Sequence, residues 1–87
     1  MLLETTTFRL ADGVDEAAFL AADEERQAEL SPRRGFVRRT TARGEAGEWL
    51  VLAMWSSAAE ADAAPPAVPV DLVDPDSVRT GRYQTLD

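Results

Sequence analysis

Eighty-seven residues carrying a formal net charge of -7, from 16 acidic and 9 basic side chains, read as one small acidic domain over 1–87. Such a field repels phosphate backbones and anionic bilayers, so no nucleic acid and no membrane is expected as a partner. The chain has neither Cys nor His, which removes disulfides, thiolate nucleophiles, sulfur metal sites, the commonest acid/base side chain and the usual haem axial ligand.

A chain this short buries only roughly 60–65% of its unfolded surface, and small domains often add a partner's surface to their own. Glu4 and three threonines interrupt Met1-Leu2-Leu3, so the start does not read as a secretory leader. No apolar run approaches the ~20 residues of a membrane span, and the expected location is the cytoplasm. All nine basic residues are Arg, and Lys, Asn and Ile are absent; those three have AT-rich codons, so a GC-rich bacterial genome is expected.

Leu2 to Leu10 predicts a first strand, with Leu2, Thr6, Phe8 and Leu10 on one parity and Leu3, Thr5, Thr7 and Arg9 on the other. After the Ala11-Asp12-Gly13 turn, Asp15 is placed to cap a helix that runs to Leu30 and stops at Ser31-Pro32. Gly35 to Arg43 predicts a second strand that alternates Phe36, Arg38 and Thr40 against Val37, Arg39 and Thr41. Gly44 to Gly47 is a hairpin loop, and Glu48 to Trp55 is a third strand. Ser57 with Glu60 three residues on forms a capping box for a short second helix, which Pro65-Pro66 halts. Ala67 to Asp76 is a proline-punctuated connector, and Ser77 to Leu86 a last strand.

The third strand constrains the architecture most. Trp49, Val51, Ala53 and Trp55 form one face of it, and Leu50, Leu52 and Met54 the other. A strand apolar on both faces has to be covered on both, and two helices cover one side of a four-stranded sheet. The expectation is an α+β, ferredoxin-like βαββαβ antiparallel sheet with two helices on one face. A second copy would pack on the other face, giving a dimeric α+β barrel and making the chain its own partner. The alternative is that Ala67 to Asp76 folds over the second face.

Several constellations bear on chemistry. Trp49 and Trp55 share a face about 20 Å apart, where an aromatic could stack on a planar ligand or simply fill the core. Phe19, Asp23, Gln27 and Leu30 lie on one helical stripe. If that stripe faces the sheet, Asp23 becomes a candidate proton acceptor; if the helix is rotated, Asp23 is solvated, which the cost of burying a lone charge favours. Arg33, Arg34, Arg38, Arg39 and Arg43 gather positive charge that either binds an anion or pairs with the acidic first helix. Tyr83 is the only tyrosine.

Taken together, Thr7-Phe8-Arg9-Leu10 into Asp12-Gly13, Pro32 to Val37, Gly47 to Val51, Trp55-Ser56-Ser57-Ala58 and Asp74-Pro75 to Tyr83 resemble the antibiotic biosynthesis monooxygenase-like family of the dimeric α+β barrel superfamily. The resemblance implies a homodimer that binds a small aromatic or polyketide-type ligand between sheet and helices and, if it catalyses, acts as a monooxygenase without a cofactor or metal. The catalytic candidates are Asp23, Trp55 and Tyr83, and the substrate-binding candidates Thr6, Phe19 and Gln27. The alternatives are a non-catalytic dimeric ligand-binding or accessory protein, and a polyketide cyclase using Asp23 as base. Two departures stand out. Oxygenases of the family use an Asn with aromatic residues, and haem-degrading members add a His; this chain has neither, and Thr6 stands near the position of the first-strand Asn. The second helix is also cut short at Pro65-Pro66, where family members continue with the wall of the ligand cleft.

Overall fold

The computed structural model describes residues 1–86. Its elements are β1 (Leu2–Arg9), α1 (Glu16–Leu30), β2 (Phe36–Arg43), β3 (Glu48–Trp55), α2 (Ala58–Ala63) and β4 (Arg79–Gln84), with single 3-10 turns at Val70–Leu72 and Pro75–Ser77. The strands form one antiparallel sheet in the order β2-β3-β1-β4. This is the ferredoxin-like α+β arrangement expected from the element order.

Local chemistry explains the boundaries. The Asp15 carboxylate accepts from the Ala18 amide at 2.7 Å and caps α1, with Glu16 favourably placed in the first turn. Ser57 caps α2 in the same way, through Glu60 N at 3.3 Å, but the return bond of the expected capping box differs: the Glu60 carboxylate accepts from the Ser57 hydroxyl at 2.9 Å rather than from the Ser57 amide. Gly35 has φ +84°, a left-handed backbone that favours glycine where the chain leaves α1 for β2, and a Cβ there would also displace the Glu60 carboxylate.

The helix side of the sheet is built in rows that run across the strands. One row is Phe36, Trp55, Leu2 and Gln84; the next is Arg39, Ala53, Glu4 and Arg82; the third is Thr41, Val51, Thr6 and Thr80; the fourth is Arg43, Trp49 and Phe8. The two middle rows are largely polar, and they divide the apolar interior in two. One cluster holds Phe8, Phe19, Trp49, Val51, Val68 and Val73; the other holds Leu2, Leu30, Ala53, Trp55 and Ala61. Trp49 and Trp55, on one strand face as expected, therefore serve separate cores.

Three expectations are corrected. A bulge at Val37 breaks the alternation of β2, so Phe36 lies on the same face as Arg39 and Thr41 rather than with Arg38 and Thr40. The last strand is Arg79–Gln84 rather than Ser77 to Leu86, because Ser77 ends a 3-10 turn and its hydroxyl accepts from the Arg9 amide at 2.8 Å. The connector lies on the helix side, where Val68 and Val73 join the first core; it completes that layer and does not fold over the second face. The second face, carrying Leu3, Leu50, Leu52, Met54 and a 58% exposed Tyr83, contributes to neither core cluster.

The connector is held there by charge. Arg39, whose side chain is 2% exposed, donates to the Ala67 carbonyl from Nε at 3.1 Å and from Nη2 at 2.8 Å, and Nη2 also meets Asp23 Oδ1 at 2.5 Å. Arg26 adds a hydrogen bond to the Pro66 carbonyl. Replacing Asp23 by Asn leaves a buried guanidinium without its countercharge, and D23N should lose roughly 3–5 kcal/mol in urea denaturation; a loss under ~1 kcal/mol would contradict this account.

Glu60 makes part of the stability depend on pH. Hydrogen bonds from Ser56 and then Ser57, with the charge of Arg34, hold its carboxyl below the ordinary value. A depressed folded value means the stabilisation is present above the unfolded value and fades as pH falls through the folded one. The stability advantage of wild type over E60Q should therefore shrink between pH 6 and pH 3, as read from urea midpoints.

Candidate functional site

A cavity of about 220 Å³ lies where the polar rows of the sheet meet the connector. Glu4 and Thr6 from β1 and Thr80 from β4 form its floor; Pro66, Ala67, Val68 and Val70 form its roof, and Val78 closes one end. The walls are mostly apolar, and the polar groups converge from the sheet. Sheet register explains the floor: Thr6 pairs with Thr80 and Glu4 with Arg82, so β1 and β4 present adjacent polar side chains on the helix side. The roof exists because Pro65-Pro66 ends α2 and sends extended chain across the sheet. The connector thus walls the site despite the shortened second helix.

Charge beside the cavity is arranged in pairs. Asp23 commits both oxygens, Oδ1 to Arg39 and Oδ2 to the Thr41 hydroxyl at 2.9 Å. Its side chain is 13% exposed, so α1 is turned with the Phe19–Asp23 stripe toward the sheet, and the solvated placement expected from the cost of burying charge is not found. That cost is met by Arg39, the partner that lone-charge reasoning leaves out. Glu4 Oε2 accepts from Arg82 Nε at 2.9 Å, and Arg82 Nη2 reaches Asp62 Oδ1 of α2 at 2.8 Å. These two carboxylates raise the Arg82 guanidinium further above its ordinary value, the Glu4 hydrogen bond first. Among the described residues no buried side-chain nitrogen or oxygen lacks a hydrogen-bond partner, and no group of three acidic side chains is placed to hold a metal ion. No helix among them is long and apolar enough to cross a membrane.

No family model and no curated protein matches this sequence. Solved structures do. SnoaB, a cofactor-independent oxygenase from Streptomyces nogalater, superposes with a TM-score of 0.77 at 19% identity over 99% of this chain and 93% of that one. Protein SO0527 from Shewanella oneidensis gives 0.73 at 18% identity, covering 94% of this chain and 87% of that one. A proposed antibiotic biosynthesis monooxygenase from Deinococcus radiodurans gives 0.70 at 18% identity, covering 100% and 94%. This chain has the fold of those proteins. The family resemblance read from short sequence segments is thus matched by architecture along nearly the whole chain.

Within that fold the sequence-derived candidates scatter. Thr6 lines the cavity. Asp23 touches its roof only through Arg39 and Ala67. Phe19 packs in the first core, 4.8 Å from Trp49 and 5.6 Å from Phe8 between ring centroids. Trp55 meets Phe36 edge-on at 5.5 Å in the second core. Gln27 accepts the Ser31 amide with its backbone carbonyl, and its side chain is not part of the cavity wall. Tyr83 pairs with Leu3 on the opposite face of the sheet. The arginine group divides likewise: Arg39 and Arg43 pair with Asp23 and Glu16 of α1, as the ion-pair account expects. Arg33 and Arg34 border a larger surface groove of about 420 Å³ beside α2, whose acidic member, Glu60, is already bound by two serines.

Thr6 is the one cavity residue among the sequence candidates, and the charged residue that sequence reasoning missed is Glu4. It shares the inward parity of Leu2, Thr6 and Phe8, and a carboxylate at an inward position of a strand is the signal that finds it. Ala53 sits between Arg39 and Glu4 in the same row with no exposed surface, and its small side chain leaves room for both charged neighbours. Enlarging it should overpack that row: A53L is expected to lose roughly 1–3 kcal/mol in denaturant unfolding, and an unchanged midpoint would show that the row is not close-packed.

Proposed function

We propose that the protein is a homodimeric α+β barrel, joined through its two open sheet faces, whose cavity takes a small planar aromatic or polyketide-type ligand and supports its oxygenation without a cofactor. The observation that carries this reading is the mostly apolar cavity at Thr6 in a fold shared with a cofactor-independent oxygenase. In such a reaction an electron-rich ring supplies the electrons to dioxygen. The protein supplies a dry space and the contacts that hold the ring in place. At about 220 Å³ the cavity is smaller than the roughly 300 Å³ at which drug-sized sites begin, so the ligand has one or two rings.

Dimerisation is supported by the open face itself. Leu3, Leu50, Leu52 and Met54 lie side by side on it, and a contiguous apolar patch of this kind favours a self-complementary two-fold contact. A second reading, a dimeric binding or accessory protein without catalysis, is favoured by Asp23, whose two oxygens are already taken. The same engagement leaves Asp23 no free oxygen for the aldol chemistry of a cyclase.

Sedimentation at micromolar concentration tests the assembly: wild type should sediment as a dimer and L52E as a folded monomer, and a monomeric wild type would remove the barrel. Native mass spectrometry with 1-naphthol and hydroxynaphthoquinones, followed by oxygen-electrode assays, tests the ligand. One ligand per subunit with oxygen uptake supports the oxygenase; binding without uptake supports the accessory reading; no binding defeats both.

A further inference from the structure

Every polar side chain of the cavity comes from the sheet, and only Glu4 among the lining residues carries a charge. Its Oε2 is held by Arg82, while Oε1 has no hydrogen bond to the rest of the protein among the described residues. The groups that face it are few. Arg82 approaches from β4, Asp62 of α2 lies behind Arg82, β3 offers the methyl of Ala53, and the cavity roof contributes Pro66, Ala67, Val68 and Val70. Arg82 divides one positive charge between two carboxylates, while Arg39 and Arg26, which hold the roof carbonyls of Ala67 and Pro66, have carboxylates of their own in Asp23 and Glu29, so this end of the cavity keeps an excess of negative charge. An ionised carboxylate is an acceptor only.

We propose that Glu4 determines which ligands the cavity takes: neutral one- or two-ring aromatics whose hydroxyl or amine donates to Glu4 Oε1 while the ring lies under Pro66 to Val70. This rests on the reading of the cavity as a ligand site and names the chemistry of its occupant. The hydroxyls of Thr6 and Thr80 stand in the adjoining row, where they can serve a second polar group on the same ring edge. Arg82 is a positioning residue here, since it fixes the Glu4 carboxylate from the side. A carboxylated ligand of the same size meets like charge across a mostly apolar space, where repulsion is weakly screened.

Titrations of the intact protein with 1-naphthol, naphthalene and 1-naphthoate separate the possibilities. Wild type should bind 1-naphthol about tenfold more tightly than naphthalene, the scale of a hydrogen bond to a charged group, and should bind 1-naphthoate no better than naphthalene. In E4Q the advantage of the naphthol over naphthalene should fall to about threefold or less, 1-naphthoate should gain, and naphthalene should be unchanged. The Glu4 side-chain carboxyl carbon, followed by NMR in wild-type protein, should shift with 1-naphthol and not with naphthalene, a readout that needs no variant to fold. Equal binding of 1-naphthol and naphthalene to wild type would overturn the role of Glu4 while leaving the cavity as a ligand site. Binding of none of the three would overturn both.

Discussion

A guanidinium with almost none of its surface in water must be met by countercharge and carbonyl oxygen, and Arg39 finds them on two separate elements. Asp23 comes from α1, and the Ala67 carbonyl from the connector that follows α2. One side chain on the second strand therefore fixes the roll of the first helix and the course of the chain after the second. A buried pair of this kind adds little stability over an apolar replacement, but removing one partner leaves the other uncompensated. Its effect here is on placement. With the connector set down on the sheet, Val68 and Val73 complete one core, and the space between the roof and Thr6 becomes a partly covered cavity.

The polar rows that contain Arg39, Glu4, Arg82 and three threonines also account for the division of the interior. Aromatic rows lie on either side of them, and each core is small. For a chain this size, two modest cores on one side of a sheet leave little margin. The opposite face of the same sheet is apolar at its centre, and the proposed pairing would bury it. The site and the proposed assembly thus use opposite sides of the sheet: Glu4 and Thr6 of β1 line the cavity, and the odd-numbered residues of β1 lie on the open face.

Much of this was legible in the residues. Asp15 and Ser57 announce the two helices through their capping positions, and the runs of alternating residues announce the strands. What misled was one-residue reasoning about two-residue events. The bulge at Val37 displaces Phe36 by one register, and no feature of Phe36-Val37-Arg38 signals it. Asp23 reads as solvated when weighed alone, because its partner lies 16 residues further on in another element. Glu4 is invisible while it is treated as an interruption of an apolar start, although its parity already places it inside.

Element order, the two-sided apolar character of β3 and the absence of His and Cys chemistry follow from the residues alone, because periodicity, capping and composition are local properties of the chain. Which carboxylate faces the cavity, what neutralises the other, and on which side of the sheet the connector lies are settled by the folded arrangement. Those outcomes depend on ion pairs and hydrogen bonds between residues distant in the chain, whose geometry no local pattern specifies.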